Sequence, residues 1–467
     1  MGTRDGCVGW DNVTDVDGQL DGELMGELTE DCTEDRTADP SGDLLGGGRP
    51  VLRRFHVDSE VGRLRQVLVH EPELALKRLT PTNKDRYLFD EVLWVARAAE
   101  EHERFQELLR ARGVTVHLFA DLLRETIAVP EAKKHILDAV IDERWLGPLA
   151  TDTVRNALDA MDLSSLQSCL TGGITKREIL ELTPEPKSIA FHSMDMDDFL
   201  LPPLPNHLFT RDTSSWVYDG VSINTMRRKA RVRETVNYEA IYQWHPMFAA
   251  GYDRPEAGGF HVWSPGMPMA PATIEGGDIL VLGRGAVLIG MSERTQPQSV
   301  EMLAQTLFRH GAATKIVALN MPKTRAFMHL DTVLTMVDYG VFIKYAGMGM
   351  LPAYTIEPGD NEKELKVTDH APEDMHRAIA HVLGLGLDDI VVLTATQDVH
   401  AAEREQWDDG CNVLAVEPGV VIAYERNTTS NNHMNHHGIE VLTMPGSELG
   451  RGRGGPRCMS CPLERDA

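Results

Sequence analysis

The chain has 467 residues, 42% of them hydrophobic and 25% charged, enough apolar content for a large buried core and for more than one domain. Its formal net charge of −25 argues against nucleic acid as a partner, because phosphate backbones are met by basic faces. The cysteines (Cys7, Cys32, Cys169, Cys411, Cys458 and Cys461) are too sparse and uneven for a secreted disulfide framework; there is no N-terminal apolar signal region, and no apolar run approaches the ~20 residues of a membrane span. A cytoplasmic enzyme without membrane contact is expected.

In chain order, residues 1–50 come first and read as a disordered acidic tail. Positions 1–49 hold thirteen Asp or Glu against three Arg, with too few bulky apolar side chains to offset the entropy of ordering. Arg65 to His70 reads as a strand, Glu91 to Arg112 as a helix ended by Gly113, and Val114 to Leu118 as a second strand. Residues 130–200 then change character. Ile136, Leu137, Val140 and Ile141 fall at helical spacing, as do Leu158, Met161, Leu163 and Leu166, and strand signals nearly vanish. This stretch is predicted to be an inserted helical module, closed by the run Leu201-Pro202-Pro203-Leu204-Pro205, which cannot be helical.

The rest, 51–129 with 201–467, is predicted to be the catalytic α/β part. Four pairs of apolar β-like runs flank tight turns there: at Asp219-Gly220, Gly283-Arg284-Gly285, Asp338-Tyr339-Gly340 and Pro418-Gly419. Helices and single strands fill the intervals. With the Arg65 region as a fifth unit, the pattern predicts pseudo-fivefold hairpin–helix–strand modules in a closed α/β ring.

The polar residues of these modules fall at matching offsets. Asp212 precedes its turn by seven residues, Glu275 by nine and Asp331 by eight, with His329 two residues before Asp331. Equivalent offsets in equivalent modules would gather these side chains at one place, with His329 and Asp331 on one face of a strand. Clustered carboxylates repel unless a cation joins them. A guanidinium, with its planar fork of donors, matches such acids. A metal ion is the other candidate for that socket.

The C-terminal stretch Glu448 to Cys461 is glycine-rich and basic. Arg451, Arg453 and Arg457 precede Cys458 and are expected to favour its thiolate, which makes Cys458 a candidate nucleophile. The rival reading makes Cys458 and Cys461 half of a zinc site with His433, His436 and His437. The run Asn431 to Gly438 otherwise reads as a polar loop.

Four motifs together resemble the arginine deiminases of the guanidine-modifying (pentein) superfamily: Asn206 to Asp212 (NHLFTRD), Ile274 to Asp278 (IEGGD), Met328 to Thr332 (MHLDT) and Gly450 to Ser460 (GRGRGGPRCMS). The resemblance spans roughly Phe55 to Arg465. It implies a five-bladed α/β propeller with a helical insertion and hydrolysis of free L-arginine to L-citrulline and ammonia. In that reading Cys458 is the nucleophile, His329 the general acid and base, Glu275 its partner, and Asp212 and Asp331 the grip on the guanidinium. Asn206, Phe209, Arg231, Arg294 and Arg453 match substrate-binding positions. Arg457 and Cys461 receive no role. No metal or organic cofactor is implied, and a homo-oligomer is expected. An agmatine-type deiminase, an amidinotransferase and a zinc-dependent hydrolase are the alternatives.

Overall fold

The computed structural model describes residues 55–395 and 398–467; the predicted acidic tail, with Cys7 and Cys32, lies outside them. Five sheets repeat one strand pattern, an antiparallel pair followed by a parallel third strand. In the first, Leu64–Val69 pairs antiparallel with Cys461–Arg465 and parallel with Thr115–Leu118, so the C-terminal strand completes the sheet begun at the other end of the described chain. The second joins Ser214–Val217, Gly220–Ile223 and His261–Pro265. The third joins Ile279–Gly283, Ala286–Met291 and Lys315–Asn320, and is extended by Ala353–Pro358 and Leu365–His370. The fourth holds Leu334–Asp338, Val341–Lys344 and Val391–Leu393, and the fifth Leu414–Glu417, Val420–Tyr424 and Glu440–Met444.

In every module a helix leads to the parallel strand, because a parallel neighbour can be reached only by crossing over. These helices are Val95–Ala111, Val232–Trp244, Pro297–Arg309, Met375–Leu383 and Thr428–His436. All four predicted hairpins occupy their predicted turns. Among the described residues no sheet closes on itself, so the strand pairing gives a mixed α/β fold of five like modules.

Residues 130–200 carry the helices Pro130–Val140, Glu143–Leu146, Thr151–Asp159, Leu163–Gly172, Lys176–Leu180 and Ile189–His192, together with the short strand Ile174–Thr175, which pairs with Phe199–Leu201. Thr175 and Glu178 form a capping box that starts one of the helices. The apolar faces do not form a separate core. Ile136, Leu158, Leu166 and Ile179 share a buried cluster with Trp216 and Ile289 of the sheets and Tyr242 of the helix Val232–Trp244.

The predicted polar loop at Asn431–Gly438 is instead mostly helix, Thr428–His436. Asn431 and Met434 lie three apart, and one helical turn buries both. Among the described residues no helix is long and apolar enough to cross a membrane.

Candidate active site

The acid-bearing segments share one local design. A single helical turn precedes the first strand of three modules: Thr210–Thr213, Gly276–Asp278 and Leu330–Thr332. Asp212 sits inside the first turn, Glu275 caps the second, His329 caps the third and Asp331 lies within it. This corrects the expectation that His329 and Asp331 share a strand face. In a turn of three residues, positions two apart diverge. His329 accordingly joins Asp212 and Glu275, while Asp331 reaches Cys458.

His329 places Nε2 2.7 Å from Glu275 Oε2 and Nδ1 3.6 Å from Asp212 Oδ1. Burial alone would lower the basicity of the ring, but the two carboxylates outweigh it and hold His329 up at about 9. The approach depends on Gly277, where a Cβ would lie 2.7 Å from the imidazole Cγ and Nδ1. Burial pushes Glu275 upward, yet Arg294, His329 and Arg231 carry it well below the usual carboxylate range. Arg231 ties the acids together: Nη1 donates to Asp212 Oδ2 at 2.6 Å, Nη2 to Glu234 Oε2 at 2.9 Å and to the Asn206 carbonyl at 3.2 Å.

Cys458 is buried, and its sulfur lies 3.1 Å from Asn412 Nδ2 and 3.6 Å from Asp331 Oδ2. Burial, then Asp331, Asp212 and Asp409, push the thiol well above its ordinary value, against the opposing pull of Arg457. The expected help from a row of arginines is therefore overturned. Arg451 is spent at the surface on Glu91 and Glu448. Arg453 stacks its guanidinium 3.7 Å from the Trp407 ring centre. Arg457 holds Glu60 through Nε at 3.0 Å and Nη2 at 3.1 Å, and Asp331 Oδ2 through Nη1 at 2.8 Å.

Eight of the ten predicted site residues line one cavity with about 360 Å³ of empty space: Asn206, Phe209, Asp212, Arg231, Arg294, His329, Arg453 and Cys458. Glu275 and Asp331 do not line it; they stand behind His329 and Cys458. Sequence reading missed Asn412 and Glu60 and left Arg457 without a role. No motif or periodicity marks the first two; only the fold brings Asn412 to Cys458 and Glu60 to Arg457.

The predicted zinc alternative finds little support in the arrangement. Cys461 begins a strand and faces Ser214, its sulfur 3.4 Å from that residue's carbonyl. The one group of His, Cys, Asp or Glu with metal-binding spacing among the described residues is Asp212, Glu275 and His329, their ligand atoms within 4.8 Å of one another. Arg231 already bonds Asp212 there, and Arg294 bonds Glu275 at 3.3 Å, which disfavours a further small cation.

The cavity region holds buried polar atoms that have no hydrogen-bond partner among the described residues, and they are of two kinds. Asp212 Oδ1 and Asp331 Oδ1 are acceptors without donors; Arg294 Nε and all three guanidinium nitrogens of Arg453 are donors without acceptors. Buried orphans of this kind are costly in isolation.

A mixed α/β fold of hairpin–helix–strand modules, with a buried cysteine, histidine and acids around one cavity, defines the guanidine-modifying, or pentein, class of enzymes. Within it, the sequence profile of Arginine deiminase (ADI) matches residues 85–465, and the chain belongs to that family. Among solved structures it is similar to SxtG, an amidinotransferase from Microseira wollei (15% identity, TM-score 0.49, covering 89% of this chain and 98% of that one). It is also similar to DDAH from Pseudomonas aeruginosa complexed with citrulline (15%, 0.45, 85% and 99%). A third is ArgZ, an arginine dihydrolase of cyanobacteria (13%, 0.45, 86%), of whose longer chain this one spans 39%. Likeness at these scores carries no weight for the reaction.

Proposed function

We propose that the protein hydrolyses free L-arginine to L-citrulline and ammonia through a covalent intermediate on Cys458. The observation that carries this reading is the pair of unmatched sets at one cavity: a carboxylate oxygen on Asp212, with that of Asp331 behind Cys458, and guanidinium nitrogens on Arg294 and Arg453. A ligand with a guanidinium at one end and a carboxylate at the other supplies both missing partners. Agmatine, lacking the carboxylate, supplies only one.

The proposed steps run through the residues of the cavity. The substrate cation enters against Asp212 and Asp331 and lowers the cost of an anionic sulfur; the thiol proton leaves to solvent. Cys458 Sγ attacks the guanidinium carbon. His329, protonated and held by Glu275 at 2.7 Å, gives its proton to the departing nitrogen, and ammonia leaves as the C–N bond breaks. The amidino group remains on sulfur. His329, now neutral, takes a proton from water as the oxygen adds to that carbon. Expulsion of the sulfur gives citrulline and restores the free cysteine. The five modules, read as blades about the site, would bring the three acid-bearing turns together, and the free state of Cys169, Cys411, Cys458 and Cys461 suits a reducing, cytoplasmic setting.

The test is citrulline and ammonia formation by the purified full chain from arginine and from agmatine, beside the Cys458→Ala variant. Arginine turnover lost in that variant supports the reading. Turnover retained without Cys458, or agmatine used in preference to arginine, removes it. Amidino transfer to an added amine, with no ammonia released in water, would mark an amidinotransferase instead.

A further inference from the structure

A buried cysteine among acids needs something to make its anion tolerable, and the arginine that precedes it in the chain is engaged elsewhere. Arg457 turns to Glu60 and Asp331. The donor in contact with the sulfur is a neutral amide. Asn412 is fully buried and comes from the segment ahead of the strand Leu414–Glu417. Its Oδ1 accepts the Cys458 backbone N–H at 3.0 Å. That bond fixes the orientation of the amide, because only an oxygen can meet an N–H donor, and so Nδ2 faces the sulfur. Of the two hydrogens on Nδ2, one is aimed at Cys458 Sγ at 3.1 Å and the other at the Asp331 carbonyl at 3.2 Å. One side chain thus clamps the backbone of the nucleophile, its sulfur, and the backbone of the acid beside it.

The glycine loop is shaped around this clamp. A Cβ at Gly455 would fall 2.5 Å from the Asn412 carbonyl oxygen, 2.8 Å from Oδ1 and 2.9 Å from Cβ. The loop must pass that close to bring Cys458 over the amide, and only a residue without a side chain can do so. Asn412 is itself held by a turn, its N–H bonded to the Asp409 carbonyl at 2.9 Å.

We propose that Asn412 is a catalytic residue: its Nδ2–H is the donor that meets the Cys458 sulfur as it becomes an anion. The inference rests on Cys458 being the nucleophile of the proposed reaction. A hydrogen bond to a charged acceptor is stronger than one to a neutral acceptor, so the same N–H that touches the thiol binds the thiolate better. The surrounding acids oppose ionisation, and Asn412 offsets part of that opposition without adding a positive charge that would compete with a cationic substrate.

The experiment compares the full chain with Asn412→Ala and Asn412→Asp. Alkylation of Cys458 by iodoacetamide, followed by mass spectrometry of the Cys458 peptide across pH, reads the poise of the thiol without any turnover. Steady-state citrulline formation reads the reaction. In Asn412→Ala the midpoint of the alkylation profile should rise by about one to two pH units, and kcat should fall about 10- to 100-fold with KM within about threefold. Asn412→Asp keeps the acceptor for the Cys458 N–H but replaces the donor with an anion, and should raise the midpoint further. It also covers the case in which the alanine variant does not fold. An unmoved alkylation midpoint in a folded variant, or an unchanged kcat, overturns the proposal. If the midpoint shifts but neither protein makes citrulline, Asn412 keeps its place at the sulfur and the deiminase reading is what fails.

Discussion

Arg457→Met would remove the cation that two buried acids share while keeping much of the volume of the stem. Arg457 is 1% exposed and makes four hydrogen bonds, two to Glu60, one to Asp331 and one to the Ile279 carbonyl. Breaking a buried pair from one side costs about 3–5 kcal/mol, because the remaining charge is stranded. Glu60 keeps Arg211, at 3.9 Å, and the weaker field of Arg465. For the unit Leu52–Ala467 the unfolding entropy is roughly 0.9 kcal/mol per kelvin, so the melting temperature should fall by about 3–6 °C. The loss should depend on pH. Burial raises Glu60, and Arg457 with Arg211 overcomes it to hold the carboxyl down at about 2, so in the native protein this acid contributes stability that is lost only as pH falls through the range from 4.5 to 2. Without Arg457, burial governs, the folded-state value rises above the unfolded one, and acidification toward pH 5 should shrink the deficit. Adding Glu60→Gln should recover part of it. Activity should suffer too, by about tenfold or more in kcat/KM, since Asp331 loses the bond that fixes its Oδ2. Thermal melts at pH 7 and pH 5, with kcat/KM, are the assay. A variant that melts within about 1 °C of the parent at pH 7, and gains nothing from Glu60→Gln, would refute the buried-pair reasoning.

His329, held at about 9, must be protonated to act as an acid, so kcat should decline as pH rises through that value; a profile flat to well above it would assign the proton transfer elsewhere. His70 and His102 are driven by burial to about 4 and about 3, and His207 lies close to His70, their ring centres 5.8 Å apart. The unfolded chain binds protons there that the folded protein refuses, so stability present above pH 6.5 should be lost on acidification, on the order of 3 kcal/mol from His70 alone between pH 6.5 and 4. Denaturant titrations of the parent and of His70→Asn should show that slope and its reduction; equal slopes would count against it. Arg453→Ala should raise KM for arginine by about 10- to 100-fold, while leaving agmatine binding little changed. An equal effect on both ligands would contradict the placement of Arg453 at the carboxylate end.

The hairpins were legible because their turns are chemically marked: Asp219-Gly220 and Pro418-Gly419 announce reversals wherever they stand. The acids were legible through repetition, since like modules put like positions at like offsets. What the sequence could not supply was the angle at which each side chain leaves the backbone. One helical turn at Leu330–Thr332 sends His329 and Asp331 to different partners, and no spacing rule distinguishes that turn from a strand start. The arginines ahead of Cys458 misled for a related reason. Nearness in sequence suggested a basic field, but Arg451 faces outward and Arg453 lies on Trp407. Asn412 and Glu60, 46 and about 400 residues away from Cys458 and Arg457 respectively, leave no local trace at all.

Several buried acids of this protein can be compared by their partners, although Glu234 is raised by burial even with Arg231 bonded to it. Glu60 and Glu275 have guanidinium partners and are held low, Glu60 at about 2. Asp278, bonded to Ser292 and to the Leu330 N–H but to no arginine, is pushed by burial up to about 7. Asp409, with neither oxygen bonded among the described residues, reaches about 7 as well, even with Arg453 nearby. Burial without a bonded cation therefore moves a carboxyl toward neutrality at physiological pH, and a neutral carboxyl grips a guanidinium poorly. Arg231 on Asp212 and Arg457 on Asp331 repeat the pairing seen at Glu60 and Glu275, but each takes only Oδ2 and leaves Oδ1 unfilled. Half-pairing is the workable compromise. One oxygen of each acid is bonded to a resident arginine, and the other has no hydrogen-bond partner among the described residues, which is where the proposed reaction puts the substrate cation. On the proposed reading, an extra resident arginine at either acid would leave no acceptor for a cationic substrate.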